Sequence, residues 1–398
     1  MQPALEGIRV VEVTEALAGP YCAMLLGDLG ADVVKVERRI TGDHARQWGP
    51  PFIAGESAYF LATNRNKRSL TLDYDHPRGR EVLEQLIARA DVFVINQPSL
   101  VSLRKRGLSP DTLLARYPRL IHCAISGYGL QSSPKAAQPG YDIVAQAEAG
   151  MMSFTGEPDG QPVRYPIAIA DMTCGIYSAM GILAALLSRA KSGRGQFLDM
   201  ALFDSQLTWL INIGSNWLNA GEAPERWGNA HPSIVPYDVF AGGDGRCFVL
   251  GVGTDALWQR LVVLLEQPDL AGDARFATNE ARIAHREHLN VILRARFAEK
   301  PADVWLQELA AARIPSAAIQ TVPEALRDTH TLERQLIVEI DHPLLGIAKS
   351  VANPMRMSGS PPAYRLPPPM LGEHTASILG ELGWTPEQIT HFRNDLAV

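Results

Sequence analysis

The sequence predicts an α/β fold, with a parallel sheet covered by helices and a smaller α+β domain. Short runs rich in valine and isoleucine alternate with helical patterns through the first half of the 398 residues. Runs of this kind are typical of parallel strands buried on both faces, so we expect a Rossmann-like sheet. The pattern changes near residue 221, after which a hairpin and amphipathic helices follow.

Each element of the large domain follows from periodicity and from turn residues. The first helix ends at Gly30, a residue type that favours helix termination. The predicted strands are Ile8–Val13, Asp32–Glu37, Asp91–Ile95, Leu120–Ile125 and Phe197–Leu202. The predicted helices are Tyr21–Leu29, Arg78–Ala90, one beginning at Tyr141, an apolar one over residues 172–187, and Ser205–Leu218.

The smaller domain is predicted over residues 226–320, and the large domain over 1–225 is completed by 321–398. Tyr237–Phe240 and Cys247–Gly251 flank a glycine-rich turn and therefore predict a hairpin. Helices are predicted at Asp255–Leu265, His288–Phe297 and Pro301–Ala312. The C-terminal part is rich in proline and is predicted to end in a helix.

Composition excludes several classes of protein. Lys and Arg number 37 and Asp and Glu 43, so the net charge of −6 argues against nucleic-acid binding. The four cysteines are far apart in apolar neighbourhoods, which predicts buried thiols rather than disulfides or a metal site. The N-terminus does not resemble a signal peptide, and uninterrupted apolar runs are too short for a membrane span. We therefore expect a soluble cytoplasmic protein with no membrane partner.

Common catalytic motifs are missing from the sequence. It contains no GxxxxGK[ST], no GxGxxG after the first strand, no HExxH and no GxSxG. Phosphoryl transferases and nicotinamide enzymes of the common kinds are therefore disfavoured. Asp171 stands out instead, because it lies where an extended apolar run meets an apolar helix. It is either the N-cap of that helix or a nucleophile that the helix dipole keeps ionised.

Three further features of the sequence have two interpretations each: the basic residues, the segment 227–233 and Trp48. Basic residues at Lys35, Arg38–Arg39, Lys67–Arg68 and Arg104–Arg106 follow predicted strands, so they form either a solvated face or a site for a nucleotide-like polyanion. The segment 227–233 is either a connection between domains or a lid, with glycine allowing close approach. Trp48 is either a core residue or the wall of a pocket.

An ordered series of segments resembles the class III CoA-transferases, also called the formyl-CoA and carnitine CoA-transferase family. The series spans most of the chain, and its order makes it specific. WGPPF, NRNKRS and the segment 226–237 are similar to the branch that exchanges CoA between succinate and hydroxymethylglutarate. The resembling segments are residues 5–37, 42–52, 64–73, 125–129, 139–150, 169–186, 192–206, 226–237 and 371–375.

The resemblance implies a CoA-transferase that acts as an interlocked homodimer. Asp171 occupies the place of the family's catalytic aspartate, and the reaction implied there runs through an aspartyl mixed anhydride and an aspartyl-CoA thioester. A CoA thioester is then a substrate, and no permanently bound cofactor or metal is implied. Succinyl-CoA is the expected donor, with hydroxymethylglutarate, glutarate, itaconate or malate as acceptor.

The resemblance also assigns residues to binding. The lid interpretation of the 227–233 segment and the pocket interpretation of Trp48 give the expected lid and substrate residues, which are Trp48, Gly228, Asn229, Ala230 and His231. The expected CoA contacts are Ala16, Leu17, Ala18, Arg38, Leu72, Asp73, Tyr74, Asp75, Asn96, Gln97, Arg104 and Tyr141.

Three departures from the family pattern bear on function. Leu17 stands where oxalate-specific members carry glutamine, which disfavours oxalate as a substrate. An apparent extra residue before Gly107 leaves open whether Arg104 or Arg106 takes the family arginine's place. Tyr141 replaces the histidine of α-methylacyl-CoA racemases, which favours transfer over racemisation. A racemase-like enzyme and a catalytically silent CoA-binding homologue are the alternatives.

Overall fold

The computed structural model of the chain describes residues 2–97 and 99–394. Its residues divide into two compact units. The first comprises Met1–Met151, Arg164–Gly221 and Thr329–Val398, and the second comprises Met152–Val163 and Glu222–Asp328.

The strands and helices are numbered in chain order. The strands are β1 (Arg9–Val13), β2 (Asp32–Glu37), β3 (Phe52–Ile53), β4 (Glu56–Ser57), β5 (Lys67–Thr71), β6 (Val92–Asn96), β7 (Ile121–Ser126), β8 (Phe197–Ala201), β9 (Tyr237–Ala241), β10 (Cys247–Gly251), β11 (Ser316–Ala318), β12 (Ile337–His342) and β13 (Gly346–Val351). The helices are α1 (Ala18–Asp28), α2 (Ala58–Thr63), α3 (Pro77–Ala88), α4 (Leu100–Lys105), α5 (Pro110–Arg116), α6 (Asp142–Glu148), α7 (Met151–Phe154), α8 (Ile169–Ser192), α9 (Leu202–Leu207), α10 (Ile211–Ala220), α11 (Asp255–Leu264), α12 (Asp269–Gly272), α13 (Asn279–Ala284), α14 (Arg286–Phe297), α15 (Ala302–Ala311), α16 (Val322–Arg327), α17 (Thr329–Glu333), α18 (Thr375–Glu381) and α19 (Pro386–Asn394).

The first unit is built on a six-stranded sheet in the order β5-β2-β1-β6-β7-β8. All five pairings are parallel, which confirms the predicted α/β fold. β1, β6 and β7 are buried almost throughout because valine and isoleucine pack against helices on both faces. The carboxyl ends of these strands therefore meet at one edge, where α/β proteins bind ligands.

Helix α8 packs along α1 and over β7 and β8. A side-chain carbon at Gly175 would lie 2.7 Å from the carbonyl oxygen of Ala18, so glycine is what lets the two helices approach. Gly193 ends α8 in the left-handed conformation, at φ 74°.

One helix among the described residues, α8, is long and apolar enough to cross a membrane by length and composition. This 24-residue helix contains an 18-residue window of mean hydropathy 1.5, half of which is buried in the structure. The prediction that no segment is long enough to span a bilayer counted only uninterrupted apolar residues, whereas threonine, serine and glycine also occur in this helix. By length and composition alone, the core helix of a water-soluble protein passes the same test as a membrane span.

The second unit contains the predicted hairpin. β9 and β10 are antiparallel, with Cys247 opposite Ala241, and β11 adds to the other side of β10. Its core is a cluster of aromatic and aliphatic residues that includes Trp258, Phe297 and Trp305. The predicted helices of this region are confirmed to within two residues at each end.

Other details differ from the sequence predictions. Lys67–Thr71 forms a strand rather than a loop, because Ser69 and Leu70 are buried beside β2. The helix predicted over Ser205–Leu218 is broken by a 3₁₀ turn, after which Ile211 has a positive φ of 23°. Cys247 is exposed, unlike the other three cysteines, because it occupies an outward-facing position of β10.

His122 is buried on β7, between β6 and the edge strand β8. Its ring is 5.3 Å from the rings of Phe93 and Phe197, and neither ring nitrogen has a hydrogen-bond partner among the described residues. Burial lowers the pKa of this imidazole to about 4. The side chain is therefore neutral in the folded protein at neutral pH.

Replacing His122 with Phe is expected to flatten the acid dependence of stability. The unfolded chain binds a proton at His122 below about pH 6.5, whereas the folded chain does so only below about pH 4, so stability is lost as pH falls between these values. The contribution is up to about 3 kcal/mol. Urea unfolding at pH 7 and pH 4.5 measures it. An unchanged pH dependence in the variant would contradict the assignment to this residue.

Candidate active site

A cavity of about 820 Å³ opens in the first unit at the carboxyl ends of the parallel strands. Residues at the ends of β1, β6 and β7 line it, together with the start of α8 and the loop before α6. The predicted site residues that line it are Ala16, Ala18, Arg38, Trp48, Tyr74, Asn96, Gln97, Tyr141 and Asp171. The structure therefore brings together residues that are up to 155 positions apart in the chain.

The remaining predicted residues of the first unit are not among the lining residues. Leu72 is buried in the core and Asp73 caps the turn before α3, accepting hydrogen bonds from the amides of Asp75 and His76. The other three are Leu17, which precedes α1, Asp75, which pairs with Arg106, and Arg104, which is exposed and lies 3.7 Å from Asp111.

Arg106 differs from Arg104 in its surroundings. Its guanidinium pairs with Asp75 at 2.9 Å and lies 5.9 Å from the ring centre of Tyr74, which lines the cavity. Of the two arginines between which the sequence did not decide, Arg106 is thus the one fixed beside the cavity wall.

Two glycines place the loop that carries Tyr141. A side-chain carbon on Gly127 would lie 2.7 Å from the Cα of Gly140, and one on Gly140 would lie 2.4 Å from the Cα of Gly127. The loop after β7 and the loop before α6 therefore touch backbone to backbone. This contact sets Tyr141 at the cavity and Asp142 at the first turn of α6.

Asp142 and Gln146 on α6 hold the segment that leads into α8. Asp142 accepts hydrogen bonds from the amide of Ala170 at 2.8 Å and from the Gln146 side chain at 2.7 Å. Gln146 accepts from the amide of Tyr165 at 2.7 Å. Because the first amides of a helix have no partner within it, the carboxylate of Asp142 satisfies one of them from outside.

Asp171 is the third residue of α8 and is not its N-cap. The N-cap position is Ala168, which makes no side-chain cap bond, so the N-cap interpretation of Asp171 is wrong. The Asp171 carboxylate lines the cavity, and no hydrogen bond or ion pair to it occurs among the described residues.

The electrostatic setting of Asp171 differs from the sequence expectation. Burial, and after it the negative charge of Asp142, raise the pKa of Asp171 to about 7. These effects outweigh the helix dipole that was expected to keep the group ionised. A carboxyl group whose pKa is raised to near neutral pH in this way is typical of a functional site.

The loop after β1 is held in a strained conformation. Ala16 has a φ of 72°, which disfavours residues with a side-chain carbon, and its amide donates to Asp43 at 2.9 Å. Asn96 binds both backbone groups of Glu15, at 3.2 Å and 3.0 Å. These bonds fix the wall of the cavity beside β1.

Buried ion pairs lie beneath this loop. Lys35 contacts Glu12 at 3.1 Å and Asp43 at 2.8 Å, and Lys67 contacts Glu12 at 2.9 Å. Burial lowers the pKa of Lys67 to about 8, whereas Asp43 and Glu12 outweigh burial at Lys35 and raise its pKa. The interpretation of Lys35 and Lys67 as loop residues near a polyanion is wrong. They are inward-facing strand residues that neutralise buried carboxylates.

Arg38 lies at the rim of the cavity and is engaged by a carboxylate. Its guanidinium pairs with Glu15 at 2.9 Å, and His44 contacts the other oxygen of the same carboxylate at 2.7 Å. All three residues line the cavity.

Trp48 and Tyr59 form an aromatic wall. Trp48 lines the cavity and so is a pocket residue, and its ring meets that of Tyr59 edge to face at 4.9 Å. Burial and the charge of Asp171 raise the pKa of Tyr59 to about 12, which keeps its hydroxyl protonated. Sequence reasoning missed Tyr59, Glu15 and His44, because they lie in short segments without a periodic pattern.

The predicted lid residues belong to the second unit. Gly228 donates its amide to Gly156 at 3.0 Å, and His231 packs against Tyr237 with ring centres 5.4 Å apart. Arg286 donates to the carbonyl oxygen of His231 at 2.9 Å. These contacts fix the conformation of the 228–231 loop within the second unit.

Comparisons with known proteins agree with this architecture. Residues 5–375 match CoA-transferase family III. The chain belongs to this family. It is 41% identical over 387 residues to a succinate–glutarate CoA-transferase from Agrobacterium fabrum, covering 96% of each chain. It is also 39% identical over 383 residues to the succinyl-CoA:glutarate CoA-transferase of Mus musculus, covering 96% of this chain and 87% of that one.

A solved structure shares the fold of this family III chain. The crystal structure of a CAIB/BAIF family protein from Brucella suis has a TM-score of 0.84 and 41% identity, covering 96% of this chain and all of that one. The resemblance drawn from the ordered sequence segments is thereby confirmed. The protein is a class III CoA-transferase.

Proposed function

We propose that this enzyme moves CoA from succinyl-CoA to a short dicarboxylic acid, with glutarate as the first acceptor to test. The observation that carries the proposal is the carboxylate of Asp171, which lines the cavity without a partner among the described residues. The two relatives named for exchange between succinate and glutarate support this choice of substrates. Hydroxymethylglutarate, itaconate and malate are the further acceptors.

The proposed reaction uses Asp171 as a covalent carrier. Its carboxylate oxygen attacks the thioester carbonyl of succinyl-CoA and expels CoA thiolate, leaving an aspartyl–succinyl anhydride. The thiolate attacks the aspartyl carbonyl and expels succinate, leaving an aspartyl-CoA thioester. The acceptor carboxylate then displaces the thiolate, which finally attacks the acceptor's acyl carbon and releases Asp171. No electron or proton is gained overall, so the scheme requires no resident cofactor or metal.

The cavity suits these steps. It lies at the start of α8, where the positive end of the helix dipole favours developing negative charge. CoA contacts are proposed at the lining residues Ala16, Arg38, Tyr74, Asn96 and Tyr141. Because the anhydride and thioester react with water, we propose that the loop at 228–231 closes over the site during turnover.

We further propose that the enzyme works as a homodimer. α10 leaves Trp217 and Leu218 exposed by 58% and 81%, and Ile211 by 76%. An apolar face of this kind on one helix is typical of an interface. Sedimentation at micromolar concentration is expected to give twice the chain mass.

The decisive experiment for the function is an acyl exchange assay. Purified enzyme is incubated with succinyl-CoA and glutarate, and the thioesters are separated by mass spectrometry. Glutaryl-CoA and succinate in equal amounts are expected. With succinyl-CoA alone, a protein adduct at Asp171 that hydroxylamine cleaves is expected. A branched acyl-CoA that instead exchanges its α-hydrogen with deuterated water would favour racemisation.

The activity is expected to depend on pH through Asp171. Because the pKa of this group is raised to about 7, the ionised fraction, and with it kcat/KM for succinyl-CoA, falls about tenfold per pH unit below that value and is level above it. Asp142→Asn is expected to move the midpoint to lower pH, since one cause of the raised pKa is removed. A profile that is flat from pH 5 to 8 would contradict this account.

A further inference from the structure

The cationic side chains that line the cavity differ in whether a carboxylate neutralises them. Arg38 and His44 share the carboxylate of Glu15. Arg164 also lines the cavity, yet within residues 2–97 and 99–394 it forms no ion pair. Its positive charge is therefore available to a ligand.

Contacts along its own backbone hold Arg164 in place. One terminal nitrogen, Nη1, donates to the carbonyl oxygens of Tyr165 at 3.2 Å and Pro166 at 3.0 Å. Tyr165 is in turn fixed by the side chain of Gln146. Across the described residues, Nε and Nη2 have no hydrogen-bond partner, so one edge of the guanidinium remains free for a bidentate bond.

Hydrogen bonds from α6 link the position of Arg164 to that of Asp171. Gln146 holds the segment at Tyr165, and Asp142 holds it at Ala170, one residue before Asp171. Arg164 and Asp171 thus lie at the two ends of one short segment that α6 fixes, and both line the cavity. Arg38, by contrast, follows β2, which β1 and β6 separate from β7 in the sheet.

A dicarboxylic substrate requires a cation in the part of the cavity near Asp171. Its reacting carboxyl group must approach Asp171, beside which Asp142 adds a second negative charge. The other carboxylate of the acid brings a further negative charge into a cavity that already contains Asp142 and Asp171, and a neighbouring cation offsets this repulsion. A planar guanidinium with a free edge matches a carboxylate better than an ammonium group does.

We propose that Arg164 binds the distal carboxylate of the substrate, which is the one that does not react with Asp171. Arg164 thereby selects dicarboxylic over monocarboxylic acids. This assignment rests on the proposed function and adds to it the residue that determines the substrate class. Arg164 touches substrate in this scheme without taking part in bond making.

Competition between two acids of equal chain length tests the assignment. Enzyme and succinyl-CoA are mixed with equal concentrations of glutarate and pentanoate, and the ratio of glutaryl-CoA to pentanoyl-CoA is measured. Because both products come from the same CoA-loaded enzyme, the ratio does not depend on the donor step. In Arg164→Met we expect the ratio to fall at least 100-fold, and in Arg164→Lys about tenfold.

Arg194→Met is the matched control. Arg194 is exposed in the turn after α8 and does not line the cavity. Its substitution is therefore expected to leave the ratio of glutaryl-CoA to pentanoyl-CoA unchanged. A ratio that stays at the wild-type value in Arg164→Met while overall turnover falls would overturn the assignment and indicate a structural role. If Arg164→Met shows no turnover, the ratio from Arg164→Lys decides in the same way.

The outcome for the wild-type enzyme separates the two proposals. Wild-type enzyme that forms neither thioester would refute the proposed function itself. Wild-type enzyme that forms glutaryl-CoA, together with an Arg164→Met ratio equal to its own, would refute only the role of Arg164.

Discussion

Asp171→Asn is expected to abolish CoA exchange, with a loss in kcat of roughly 10⁴-fold or more, because an amide cannot form the anhydride. The substitution preserves size, and the side chain makes no hydrogen bond or ion pair within the described residues. Affinity for CoA is therefore expected to stay near the wild-type value. Exchange kinetics and calorimetric titration with CoA measure the two quantities.

Stability provides a second readout of the same variant. The folded-state pKa of Asp171 lies above its ordinary value, so the folded chain retains a proton that the unfolded chain has already lost, and stability decreases as pH rises from about 4 to 7. The asparagine variant lacks this penalty and is expected to have a higher Tm at pH 8. Exchange above a hundredth of the wild-type rate, in enzyme purified free of wild type, would exclude Asp171 as the carrier.

Lys35→Met is expected to lower the free energy of unfolding by about 3–5 kcal/mol, because it leaves buried carboxylates uncompensated. Lys35 is fully buried between Glu12 and Asp43, with its ammonium group 3.1 Å and 2.8 Å from their oxygens. Methionine fills a similar volume, so the loss reports charge rather than a cavity. Urea unfolding at pH 7 measures the change.

The double variant Lys35→Met, Glu12→Gln is the control. It removes one negative charge with the positive one, so the remaining Lys67 and Asp43 have opposite charges, and part of the lost stability is expected to return. A loss below about 1 kcal/mol in the single variant, or no recovery in the double, would mean that these charges are better solvated than their burial indicates.

Many elements of both units are predictable from the sequence because their signals are local. Valine-rich runs such as those of β1 and β2 are buried on both faces and identify parallel strands without further information. The hairpin of β9 and β10 follows from its glycine-rich turn. For Asp171 the local pattern identified the start of α8, but residues 161–168 before it form no strand, and its place as the catalytic residue was implied by the family resemblance.

Features that depend on contacts between distant segments were not predictable. Lys67 resembles a surface residue in the sequence, yet a carboxylate on β1, 55 positions earlier, makes it an interior one. The cap on the start of α8 comes from Asp142 on another helix, so the local pattern pointed to Asp171 instead. Arg164 lies in a segment without periodicity, and only the cavity reveals where it is placed.

The contact between Gly127 and Gly140 limits how this enzyme can be redesigned. Any side chain at either position would force the two loops apart and carry Tyr141 and Asp142 with them. A mutant library aimed at new acids should therefore keep both glycines fixed and vary neighbours such as Gln138 and Ile143, which line the same cavity. Changes in substrate range would then come from the shape and polarity of that wall, while the backbone that positions Tyr141 and Asp142 stays as it is.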